Sequence, residues 1–100
     1  MNFEPLSSAD IEAFEMDCGG MGGDFLTQVR RALGVNIEDI AKRTKISTGM
    51  LRYIEAEELE FLPARVYLRG YLTQIGRLLK LPVPKIVDGY MRANGLGKSK

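Results

Sequence analysis

Three groups of residues could carry covalent chemistry, and each lacks a partner that the chemistry requires. Glu57, Glu58 and Glu60 place carboxylates on adjacent turns. That is a solvated arrangement, not the isolated pair in an apolar pocket whose pKa values are driven apart for acid–base work. Cys18 is the one thiol of a chain without histidine; no imidazole is available to activate it, and its glycine neighbours imply an exposed, inert side chain. The run Gly19-Gly20-Met21-Gly22-Gly23 has no Lys-Ser/Thr after it and no strand before it, which removes a phosphate-cradling loop. The same residue counts exclude histidine metal sites, multi-thiolate zinc and an internal disulfide. The expectation is a non-enzymatic protein with no catalytic residue, cofactor, metal or small-molecule substrate.

Recognition chemistry is better represented. Tyr67 and Tyr71 stand four residues apart, with Arg65 and Arg69 close by in sequence. At about 100° per helical residue, Leu68, Leu72, Ile75 and Leu79 make one apolar seam. Arg65, Arg69, Arg77 and Lys80 fall on a basic face, and Tyr67, Tyr71 and Leu78 form a third stripe on the other flank of the seam. Tyrosine and arginine are enriched where interfaces are tightest, so Tyr67, Tyr71, Arg65 and Arg69 are candidate protein-binding residues. The competing reading has both rings completing the core with their hydroxyls at the surface. Gly70, between them, permits a close helix approach.

A second set points to nucleic acid. Thr48 and Arg52 could reach base edges, and Lys42, Arg43 and Lys45, with Arg30 and Arg31, could meet phosphates. Two features weigh against it. The exposed positions Thr48, Gly49, Arg52 and Tyr53 include no Asn or Gln. Glu55, Glu57, Glu58 and Glu60 would repel a phosphate backbone unless they are turned away.

These residues need helices to position them, and the punctuation supplies five. Asp24 can cap a helix with Leu26, Val29 and Leu33 at helical spacing and Gly34 as its left-handed stop. Asn36 can cap the next, with Ile37, Ile40 and Ala41 inward and Glu38 and Asp39 near its positive end. Ser47 can cap a third, carrying Met50, Leu51 and Ile54. Pro63 opens a longer fourth through about Leu79, and Pro84 sits in the first turn of a fifth that ends near Asn94 before Gly95. No alternating strand pattern appears. Ser8 could cap one further short helix through about Met16, marginal without something to pack on.

The segment VNIEDIAKRTKISTGMLRYIEAEE holds two short helices joined tightly at Thr44-Lys45-Ile46-Ser47, with Ile46 plugging the turn. That is the layout of a helix-turn-helix, and these residues, including the closing Ile54-Glu55, are similar to the Xre/Cro-like helix-turn-helix family. Phe61-Leu62-Pro63-Ala64-Arg65-Val66-Tyr67-Leu68-Arg69-Gly70-Tyr71-Leu72 then resembles the RodZ-like family of bacterial cell-shape modules over roughly residues 23–93. The Leu-Pro turn, the Arg-Gly step and both flanking aromatics occur in register. The resemblance implies a cytoplasmic module that binds an actin-like cytoskeletal protein of the MreB kind. The two aromatics in that family's contact match Tyr67 and Tyr71. The alternative implied by the wider family is a DNA-binding regulator of Xre/Cro type, and another cytoplasmic protein is a third possible partner.

Composition agrees with a small cytoplasmic domain. The chain has 100 residues, 45% hydrophobic and 27% charged, with a net charge of +1. No apolar run approaches the roughly 18 residues of a membrane span. The fold class expected is all-α: a five-helix bundle containing a helix-turn-helix over residues 24–94, with a tail at 95–100 expected to be disordered. Residues 1–23 are expected to form an acidic, Gly-rich and largely flexible leader. This leader holds five acids and no Lys or Arg; it is read either as a solvated tail or as a segment folding back on the basic surface. The RodZ-like pattern normally continues toward a membrane helix, so the chain is read as a stand-alone relative or as the cytoplasmic part of a larger, membrane-anchored protein.

Overall fold

The computed structural model describes residues 2–96 and contains six α-helices and no strand among them. They are α1 (Ser8–Cys18), α2 (Gly23–Ala32), α3 (Ile37–Thr44), α4 (Thr48–Ala56), α5 (Arg65–Leu78) and α6 (Val83–Ala93), with a 3₁₀ turn at Leu59–Phe61. The all-α expectation holds, but the helix count is six where the punctuation indicated five. The sixth lies in the leader.

That helix has what an isolated segment of its length lacks. Ser7, not Ser8, caps it by accepting from the N–H of Asp10 (3.1 Å), and Gly19 closes it in the left-handed conformation. It packs against α2 and buries Ile11, while Met21 in the glycine run is 2% exposed. Burial of these two side chains offsets the cost of ordering a marginal helix. The largely flexible leader expected from composition is therefore, in the structure, a packed helix followed by a packed turn.

Two of the glycines serve close approach. A Cβ at Gly23 would fall on the carbonyl oxygen of Glu55, and one at Gly89 would lie 2.8 Å from the Cβ of Met21. Asp24 is not the cap of α2. It lies within the first turn, and Gly22 occupies the cap position without a side-chain bond. The N–H of Gly23 instead donates to the Glu57 carboxylate (2.6 Å), an acceptor 34 residues away.

The remaining starts and stops follow local chemistry. Asn36 accepts from the N–H of Asp39 (2.8 Å) and Ser47 from that of Met50 (3.0 Å), each satisfying an orphan donor of a helix end. Pro63 does not open α5; it follows the 3₁₀ turn and the extended Leu62, and the helix begins two residues later at Arg65, with Ala64 at the cap position. Pro84 lies in the first turn of α6 as its fixed φ favours. Beyond α6, Leu96 packs on the core and its N–H donates to the carbonyl of Met91 (2.7 Å). Residues 95–96, placed in the tail by the sequence, thus close the last helix; 97–100 lie outside the described residues.

One core unites the helices. Leu26, Val29, Ile40, Ile54, Leu68, Leu72 and Ile75 are all buried, joined by Phe25, Leu79, Ile86, Tyr90 and Met91. The seam of α5 drives this: α5 packs on α6 along it and also touches α3, so its opposite flank is left for other uses.

Candidate interaction surface

The helix-turn-helix is locked at its corner by side chain–backbone bonds. Thr44 donates its hydroxyl to the carbonyl of Ile40 (2.7 Å) and accepts from the N–H of Ile46 (3.2 Å). Lys45 takes the left-handed conformation with φ 65, and Ile46 is buried as the plug of the turn. The angle between α3 and α4 is thereby fixed without a glycine.

The acidic residues after α4 divide into two roles. Glu55 accepts from Arg30 Nε (2.7 Å) and Nη2 (3.1 Å) and from the Thr27 hydroxyl (3.0 Å). Arg30 also donates to the carbonyl of Val35 (3.1 Å). Glu57 holds the first N–H of α2, and Asn94 donates to it as well (3.3 Å). Both carboxylates are therefore turned into the structure. They tie α4 to α2 and α6 and no longer stand as repelling charges on the surface. Glu58 and Glu60 remain exposed. Only tertiary packing separates these roles, since all four are glutamates within six residues.

The nucleic-acid candidates are only partly available. Thr48 is half-buried, and Arg52 is exposed with Nη2 3.5 Å from the carboxylate of Glu38. Lys42, Arg43 and Lys45 are exposed and form no ion pair among the described residues. Arg43 lines an open groove with Gln74, Arg77 and Leu78. Arg30 is engaged by Glu55 and Val35.

Helix α5 presents the protein-binding candidates. Tyr67 is 64% exposed. Tyr71 is half-buried, with its ring against the core. Arg65 is exposed, and Arg69 stands 3.6 Å from Asp88 of α6. A Cβ at Gly70 would meet nothing within 4 Å, so that face is open to an approaching partner. The competing reading of the tyrosines is divided by this geometry: Tyr71 contributes to the core, and Tyr67 does not.

One surface feature had no signal in helical periodicity. The rings of Tyr53 and Phe61 stack with centroids 4.9 Å apart and planes inclined by 23°. They meet because the 3₁₀ turn folds back on α4, a geometry that neither period of 3.6 nor period of 2 reveals.

Among known proteins, a helix-turn-helix domain family matches residues 25–92, more than half of the chain. The chain belongs to that family. It is 28% identical over 68 residues to the cytoskeleton protein RodZ of Streptococcus pneumoniae, covering 68% of this chain and 25% of that protein. It is 30% identical over 82 residues to an uncharacterized protein of Haemophilus influenzae, covering 77% of this chain and 27% of that protein. The helix-turn-helix chain thus spans about a quarter of the length of these curated relatives. No solved structure matches it. No helix among the described residues is long and apolar enough to cross a membrane, and no group of three metal-ligating side chains occurs among them.

Proposed function

We propose that this helix-turn-helix domain is a non-enzymatic protein-interaction adaptor that uses α5 to bind an actin-like cytoskeletal protein of the MreB kind in the cytoplasm. The observation that carries the reading is the exposure of Tyr67 at 64%. It lies one helical turn from the anchored ring of Tyr71 and beside the open backbone at Gly70. An aromatic ring outside the core contributes little to folding but much to binding once a partner covers it. Arg65 and Arg69 would flank the rings and steer an acidic partner, a role that alters association rate more than final affinity. Similarity to a protein described as a cytoskeleton protein supports the same reading.

The second reading, a DNA-binding regulator, is favoured by the unpaired Lys42, Arg43 and Lys45 around the turn. It is weakened by Glu38, which competes with DNA for Arg52, and by the absence of Asn or Gln on the exposed face of α4. Capture of partners from a bacterial cytoplasmic extract, with and without nuclease, separates the two. The adaptor retains a protein partner after nuclease and loses it in Tyr67→Ala. A regulator loses its capture with the DNA.

A further inference from the structure

Among the described residues, six large apolar side chains are exposed, and five of them lie between residues 53 and 67. Val66 and Tyr67 belong to α5. Tyr53, Leu59 and Phe61 lie where α4 runs into the 3₁₀ turn; Tyr53 and Phe61 stack, and exposures of 38%, 43% and 52% leave part of each side chain in solvent. The turn that carries them is held by its own backbone. The N–H of Glu58 donates to the carbonyl of Tyr53 (3.0 Å), that of Phe61 to Glu58 (2.9 Å) and that of Leu62 to Leu59 (3.2 Å). The stack is therefore presented on a fixed platform, and binding would not first have to order it.

The exposed carboxylates of the turn are free among the described residues, while its neighbouring cation is paired. Of the four glutamates here, Glu55 and Glu57 are committed to Arg30 and to the start of α2. Glu58 and Glu60 are exposed, form no ion pair among the described residues and belong to the same turn as Phe61. The neighbouring cation, Arg52, faces Glu38. Aromatic faces attract a cation through the ring quadrupole, and carboxylates beside them accept its N–H groups. A guanidinium suits the combination best, because it stacks on a ring and presents donors at its edge. Anionic surfaces such as nucleic acid or acidic lipid are repelled by the same two carboxylates.

We infer that Tyr53, Leu59 and Phe61, with Glu58 and Glu60 as rim, form a docking site for an arginine- or lysine-bearing apolar segment of a partner protein. The site is carried by α4 and the 3₁₀ turn, not by α5, and its charge preference is opposite to that of the α5 surface. It stands whether or not Tyr67 binds a filament.

The test uses two short fluorescent peptides that are identical except that the leucine–arginine alternation of one becomes leucine–glutamate in the other. Anisotropy titration and amide chemical shifts of the full chain read binding and its location. The basic peptide is expected to bind and to move the amides of Tyr53, Glu58 and Phe61 while leaving Tyr67 in place. Phe61→Ala is expected to weaken it about three- to fivefold through the lost ring face. The pair Glu58→Gln and Glu60→Gln, both at exposed positions that leave the fold intact, should weaken it severalfold and flatten its salt dependence. Tyr67→Ala should have no effect. Equal binding of the acidic peptide, binding of neither peptide, or unchanged affinity in the double Gln variant would overturn the proposal.

Discussion

The bridge from Arg30 to Glu55 joins the helix before the helix-turn-helix to the end of its second helix, and its removal has a calculable cost. Glu55→Ala deletes two charge-assisted bonds at 2.7 and 3.1 Å and one of the two acceptors within reach of the Thr27 hydroxyl, which keeps the Gly23 carbonyl at 3.0 Å. Arg30 is left with the Val35 carbonyl alone. The two side chains are 12% and 15% exposed, so the stranded guanidinium is largely cut off from water. Breaking a buried pair from one side costs about 3–5 kcal/mol, and the remaining exposure places this pair at the lower end, about 3 kcal/mol. For a domain of this size that corresponds to a fall of about 15 °C in Tm. It removes a large share of a total stability of about 5–15 kcal/mol. Replacing both residues together with leucine should recover much of the loss, because the uncompensated charge is then absent. Thermal and urea unfolding of Arg30→Leu, Glu55→Leu and the double leucine variant supplies the cycle. Additive losses, or a Glu55→Ala penalty below about 0.5 kcal/mol as for an exposed pair, would refute the claim that this carboxylate is structural.

Three other perturbations test the architecture. Leu72→Ala, at a fully buried seam position, should cost about 2–5 kcal/mol by urea unfolding, and an unchanged midpoint would contradict the core. Gly23→Ala should lower Tm clearly, because its Cβ would be driven into the Glu55 carbonyl and a tight core accommodates such overpacking at about 1–3 kcal/mol. The phenol of Tyr90, which donates to the Ile54 carbonyl (2.6 Å), has its pKa raised by burial and then by the charge of Glu57. Its folded value lies above the unfolded one, so this contribution is intact below about pH 10 and is lost as pH rises beyond that. Tyr90→Phe should flatten that alkaline decline while costing about 1 kcal/mol at neutral pH.

How much of this was legible in the sequence depended on how local the governing interaction is. Asn36, Ser47 and Pro84 act on backbone within three residues or so, and the starts they mark were found. The seam Leu68-Leu72-Ile75-Leu79 obeys the helical period and was found for the same reason. The first turn of α2 is not legible locally: Asp24 has the chemistry of a cap, and nothing nearby reveals that Glu57 arrives to accept from Gly23. The leader composition pointed to flexibility, since the partner surface that orders α1 exists only after α2 has folded. At the candidate site, periodicity put both tyrosines on one stripe but could not divide them. Tyr71 leans on the core and Tyr67 stands clear, a difference set by how α5 lies on its neighbours. The Tyr53–Phe61 stack crosses a 3₁₀ turn and leaves no periodic trace.

If α5 binds a protein through Tyr67, cosedimentation with filaments of an MreB-type actin-like protein depends on that ring. Tyr67→Ala should retain the wild-type Tm, because the ring is mostly outside the core, and should lose binding by about 2 kcal/mol or more. Tyr71→Ala should lose binding together with some stability, since its ring also packs inward. Undiminished cosedimentation of folded Tyr67→Ala would contradict the claim.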